Sequence, residues 1–104
     1  MDNFKIIYKI LRALEAAMDY EEFNMEQISP NILGISEPRC EAIMQMLLNN
    51  GYIEGGKIVA LLGTPPKITW GRPQITLAGL EYLNENSMMK KLANAAKGIV
   101  DLVL

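Results

Sequence analysis

ISPNILGISEPRCEAIMQMLLNNGYI, residues Ile28 to Ile53, contains two helix starts and two helix stops. Ser29 is a good N-cap and Pro30 fits the first helical position. Ile32 and Leu33 supply apolar contact, and Gly34 suits the left-handed position that ends a helix. Ile35 follows as a buried turn residue, and Ser36 can cap the next helix. That helix runs from Glu37 to Asn50. Cys40, Ile43, Met44, Leu47 and Leu48 recur on it at spacings of three and four, which places them on one buried face. Pro38, Arg39, Ala42, Gln45, Met46 and Asn49 lie opposite, with Glu41 at the edge. Asn50 and Gly51 stop the helix, and Tyr52-Ile53-Glu54 turns extended.

Upstream, Phe4, Ile7, Tyr8, Leu11, Leu14 and Met18 share one side of a first helix that ends near Asp19. Asp2 or Asn3 can cap it. Tyr20 to Ile28 is a short acidic connection with room for a brief strand, and Tyr20, Phe23, Met25 and Ile28 are expected to anchor it in the core. Downstream, Lys57 to Leu62 reads as a strand. Gly63-Thr64-Pro65-Pro66 breaks it, and Lys67 to Trp70 returns. Gly71-Arg72-Pro73 is a second break before Gln74-Ile75-Thr76. Thr76 then caps a helix from Leu77 to Asn84.

The order is helix, short helix, turn, longer helix, hairpin, helix. It predicts an α+β fold, a winged helix-turn-helix with a three-helix core and a β-hairpin wing, over residues 1–86. Ser87 to Leu104 reads as one more amphipathic helix. On it Met88, Met89, Leu92, Ala93, Ala95, Ala96, Ile99, Val100, Leu102 and Val103 cover more than half the circumference. An arc that wide needs a cover. The helix could pack back on the first helix, lie on a membrane or pair with a second copy. A two-fold homodimer is the expected cover, with Met89, Leu92, Ala93, Ala96, Ile99, Val100 and Val103 as its interface. A helix folded back between the first helix and the hairpin is the competing account.

The chain also resembles the YjcQ-like family of small winged-helix proteins from Gram-positive bacteria and their phages. AMDYEEF (Ala17 to Phe23), ISPNILGIS (Ile28 to Ser36), LLNNGYI (Leu47 to Ile53) and ITLAGLEYLNENSMMKKLANAAKGI (Ile75 to Ile99) carry the resemblance. It implies the winged-helix fold and brings no catalytic residues with it.

Composition narrows the function. The 104 residues contain no histidine and one cysteine, Cys40, on the apolar side of its helix. The commonest general base and metal ligand is therefore missing, and neither a disulfide within the chain nor a typical zinc site can form. Cys40 reads as a small buried hydrophobe, and the seven methionines as core and interface filler. No phosphate-binding loop or nucleophile motif appears, so no enzyme and no cofactor is expected. No secretory leader and no run of 18 apolar residues is present, which points to the cytoplasm.

Charge is unevenly spread. Residues 1–54 hold four basic groups against nine acids, net −5, and residues 55–104 hold six against three, net +3. An anionic partner would therefore meet the second half first. In a helix-turn-helix the second helix enters the major groove, which makes Arg39, Gln45 and Asn49 candidate base readers. Lys57, Lys67 and Arg72 are candidates for phosphate contact from the wing. Glu37 and Glu41 oppose DNA binding on the same helix, and Trp70 fits a core position beneath the wing better than a base-stacking one. Two function classes follow: a DNA-binding regulator acting as a dimer, and a protein-interaction module built on the same fold. A membrane surface is disfavoured as a partner.

Overall fold

Asp2 starts the first helix: its Oδ1 accepts a hydrogen bond from the Phe4 amide at 2.9 Å. Helix α1 runs Asn3–Ala16 and tightens into a 3-10 turn at Ala17–Asp19. The computed structural model describes residues 2–86. Among them are four α-helices and one two-stranded antiparallel sheet, a mixed α+β architecture.

The buried face of α1 is formed by Ile6, Ile10, Leu11 and Leu14. It is turned from the expected face toward the two isoleucines. Phe4 is 59% exposed and Met18 61%, whereas Ile6 and Ile10 are fully buried. Apolar residues occupy most of the circumference of α1, so periodicity alone does not fix which part faces inward. Packing against β2, α3 and α4 does. The acidic connection forms no strand. It makes a 3-10 turn at Met25–Ile28, whose Glu26 amide donates to Asn24 Oδ1 at 3.0 Å. Ile28 is buried and Phe23 half-buried, while Tyr20 and Met25 stay exposed. Glu21, Glu22 and Glu26 keep this segment at the surface, where charged carboxylates remain hydrated.

Helix α2 is one turn, Pro30–Leu33, capped by Ser29 Oγ on the Ile32 amide at 3.3 Å. Leu33 is buried and Ile32 exposed. Gly34 takes φ 72°, and its amide and that of Ile35 both donate to the Pro30 carbonyl, at 2.8 and 3.1 Å. Ser36 then caps α3, Glu37–Asn49. This helix buries Cys40, Ile43, Met44 and Leu47, with Leu48 half-buried at the edge.

Strand β1 spans Ile53–Val59, so it starts earlier than expected and leaves Leu61 and Leu62 in the connecting loop. Strand β2 spans Lys67–Ile75 without interruption. Glu54 pairs with Gln74 and Gly56 with Trp70, so Gly55 alone faces Gly71-Arg72-Pro73. The anticipated break is thus a bulge of three residues against one, which accommodates a proline inside the strand. Gly55 has φ 94°, and a Cβ there would lie 1.9 Å from the Arg72 carbonyl oxygen. The Trp70 ring lies against Gly56 and packs onto the core, as expected for it.

Thr76 caps α4, Leu77–Glu85, by accepting from the Gly79 amide at 3.1 Å. Tyr82 of α4 stacks on Tyr52 with a tilted ring-to-ring distance of 5.6 Å.

The rotated face of α1 gives a test. Ile10→Ala should cost about 2–5 kcal/mol in urea unfolding, whereas Phe4→Ala should cost under about 1 kcal/mol. Equal losses would restore the face read from the sequence.

Candidate nucleic-acid interface

The expected reading face of α3 is largely committed within the chain. Arg39 donates to Asn3 Oδ1 on α1, from Nε at 2.9 Å and from Nη2 at 2.6 Å. Gln45 Nε2 donates to the Pro66 carbonyl oxygen at 3.0 Å. Glu41 Oε1 accepts from the Ile68 amide at 2.8 Å. That amide points away from β1, so Glu41 and Gln45 together hold the outer edge of β2 alongside α3. Asn49 remains exposed, as do Glu37, Pro38, Ala42 and Met46. Of the three candidate readers, Asn49 is the one the structure leaves exposed; Arg39 and Gln45 are half-buried and act as braces.

The three hairpin cations divide in the same way. Arg72 rides the bulge back toward α1, where its Nη2 donates to the carbonyl oxygens of Tyr20 at 2.5 Å and Ala17 at 3.3 Å. A cation over terminal carbonyls stabilises a helix end. Lys57 pairs with Thr69 and Lys67 with Val59, so strand alternation puts both lysines on one face of the hairpin. Both are exposed. The opposite face carries Ile58, Ile68 and Trp70, of which Ile68 and Trp70 pack on the core. From Gly55 to Leu80 the sequence contains no acid, and the first carboxylates on either side are Glu54 and Glu81. The hairpin carries Lys57, Lys67 and Arg72 against one acid, Glu54; α1 also exposes Lys5, Lys9 and Arg12, and Lys67 lines a hollow together with Glu26, Glu37 and Glu41.

The loop between the strands is also built. The Thr64 amide and Oγ1 both donate to the Leu61 carbonyl oxygen, at 3.1 and 3.2 Å. Gly63, at φ 84°, takes the position that such a turn reserves for glycine. Leu62 stands at the apex and is fully exposed, and Leu61 beside it is 67% exposed. The sequence reading assigned the leucines to a strand and gave them no role. The Leu-Leu-Gly-Thr-Pro-Pro order, with glycine two places before paired prolines, was the available signal of a tip.

A family model described as YjcQ protein matches residues 8–102. The chain belongs to the YjcQ family. No curated protein and no solved structure matches it. For this YjcQ-family chain, the proposed pairing residues Met89, Leu92, Ala93, Ala96, Ile99, Val100 and Val103 lie outside the described residues. Among the described residues no helix is long and apolar enough to cross a membrane, and no cluster of three or more carboxylates or thiols could hold a metal ion.

Cys40 lines a hollow of about 360 Å³ together with Met25, Ile28, Met44 and Trp70. Its Sγ donates weakly to the Ile28 carbonyl oxygen at 3.8 Å. Burial pushes the thiol pKa up, and the neighbouring Glu41 carboxylate pushes it further the same way. A thiol so held stays protonated at neutral pH and is a poor nucleophile. Tyr82 is likewise shifted upward by burial, with Tyr52 and Asp2 adding to it.

Arg72→Ala removes the brace between the bulge and the end of α1. We expect a loss of about 1–2 kcal/mol in denaturant unfolding, with faster amide exchange in Tyr20–Asn24. Unchanged stability and exchange would mean that Arg72 is free to serve a ligand.

Proposed function

We propose that this chain is a winged-helix protein that binds duplex DNA through its hairpin wing, without catalysis. The observation that carries the reading is the outer half of the hairpin, acid-free from Gly55 onward, with Lys57 and Lys67 diagonal to one another on its exposed face. Phosphate contact dominates duplex affinity and needs cations that are not already neutralised by neighbours. The order of elements supports a winged helix, with α3 in the recognition position and the hairpin next to it. Arg39 and Gln45 position the wing and the helix, and Asn49 is the remaining candidate for a base edge. Such a protein binds modestly and with little sequence preference. Residues 87–104 pair two copies in this reading, since their apolar arc requires cover and a two-fold pairing provides it.

A second reading, a protein-interaction module, is favoured by the exposed side of α3. Glu37, Pro38, Ala42 and Met46 there are acidic or apolar, which suits a protein surface better than phosphates. Gel shifts on mixed duplex DNA across a salt series separate the two. The wing reading expects retention at low salt, and Lys57→Ala with Lys67→Ala should shallow the slope of log affinity against log salt by about two units. No retention at low salt would leave the protein-interaction reading standing. An equal slope in the double variant would remove the wing from the contact.

The pairing has its own check. Full-length chain should sediment as a dimer at high micromolar concentration, and a monomer there would overturn the assignment of residues 87–104.

A further inference from the structure

Leu61 and Leu62 are not used by phosphate contact, yet the chain exposes them on a preformed turn. Two hydrogen bonds from Thr64 to the Leu61 carbonyl oxygen close that turn, and Gly63 supplies its positive φ. Pro65 and Pro66 stiffen the return, since each fixes its own φ. The base of the loop is fastened to α3 through Gln45 on Pro66 and Glu41 on Ile68. The tip is therefore held in place before any partner arrives, and ordering it on binding costs little. A fully exposed leucine at the apex gains nothing in the isolated domain.

We infer that the wing tip is an apolar wedge that enters the minor groove of duplex DNA and partly unstacks a base step, with Leu62 leading and Leu61 beside it. The inference rests on the duplex-binding reading above and adds the way in which the wing engages. Charge complementarity selects this partner. Lys57 and Lys67 stand behind the tip on one face, where phosphates rimming a groove would lie. No acid occurs in the chain between Gly55 and Leu80, and the acids beside Lys67, Glu37 and Glu41, belong to α3, with Glu41 bonded to the Ile68 amide. Scale agrees as well: a minor groove is about 6 Å wide and admits a single turn of chain rather than a helix. Aliphatic side chains inserted in that groove unstack steps and bend the duplex. Pyrimidine–purine steps such as TA yield most easily, so the wedge imposes a preference for flexible steps with no hydrogen bond to a base.

The test uses full-length protein and short synthetic duplexes carrying, next to a TA step, a fluorescent adenine analogue that brightens on unstacking. Wild type should brighten the probe on binding and favour TA-containing duplexes over stiff A-tract ones. Leu61→Ser with Leu62→Ser should still bind with the wild-type salt slope but lose both the brightening and the step preference. Both leucines are exposed, and an unchanged melting temperature confirms that the double variant is folded. Equal brightening by wild type and variant overturns the wedge and leaves duplex binding intact. Absence of wild-type binding overturns both, and sedimentation of wild type but not the variant with phosphatidylglycerol vesicles would then assign the tip to a membrane surface.

Discussion

The architecture turns on one joint, where the end of α3, the start of β1, the end of β2 and the start of α4 meet. Thr76 is its centre. Its Oγ1 donates to the Gly51 carbonyl oxygen at 2.5 Å, its amide donates to the Tyr52 carbonyl oxygen at 3.1 Å, and the same Oγ1 caps α4 by accepting from Gly79. Gly79 must be a glycine for the joint to close, because a Cβ there would lie 2.4 Å from the Tyr52 carbonyl oxygen and 2.6 Å from the Ile75 side chain. On the other side Gly51, at φ 75°, reverses the chain, and the Tyr52 amide returns to the Leu47 carbonyl oxygen at 2.9 Å. Fixing Tyr52 against Thr76 fixes the Ile53–Ile75 pair, and with it the register of the hairpin base. Both isoleucines are buried, so a slip of one residue would turn them out to solvent.

Much of this was legible in the sequence because it is local. Ser29, Ser36 and Thr76 cap the helices that follow them by accepting from an amide three residues on, and Gly34 stops α2 with its own amide donating back to the Pro30 carbonyl oxygen. The buried face of α3 follows from spacing alone because its apolar residues form a narrow stripe. The face of α1 does not, because its apolar residues surround most of the helix and the neighbours decide. The bulge was visible only as a break. Gly71-Arg72-Pro73 disrupts pairing as those residue types should, but the strand continues past them, because Gly55 on the partner strand admits the close approach of the Arg72 carbonyl.

The candidate interface was less legible for a different reason. Arg39, Gln45, Lys57, Lys67 and Arg72 are alike as residue types able to meet DNA. They differ in what lies across the fold from them. Arg39 meets Asn3 from 36 residues away, Gln45 meets Pro66 from 21, and Arg72 meets Tyr20 from 52. Periodicity carries no information about partners at such separations. The two lysines were left exposed by strand register, and register depends on the bulge.

These braces bear on what the hairpin can do. It is held at its base by Thr76 to Gly51 and Tyr52, at its bulge by Arg72 to the end of α1, and near its tip by Glu41 and Gln45 to α3. A two-stranded ribbon alone is marginal in water, and these contacts tie this one to the helices along its length. Of the polar side chains expected to read bases, Gln45 holds the hairpin beside α3 and Arg39 holds α3 on α1. The division has a physical consequence for recognition. A side chain already bonded within the chain must break that bond before it meets a ligand, and the loss cancels most of the gain. Groups with no such bond to give up, the lysines on the outer face and the leucines at the apex, keep their full interaction for a partner. Under the duplex contact proposed above, specificity would therefore rest on the shape and deformability of the duplex, more than on a code of hydrogen bonds along α3.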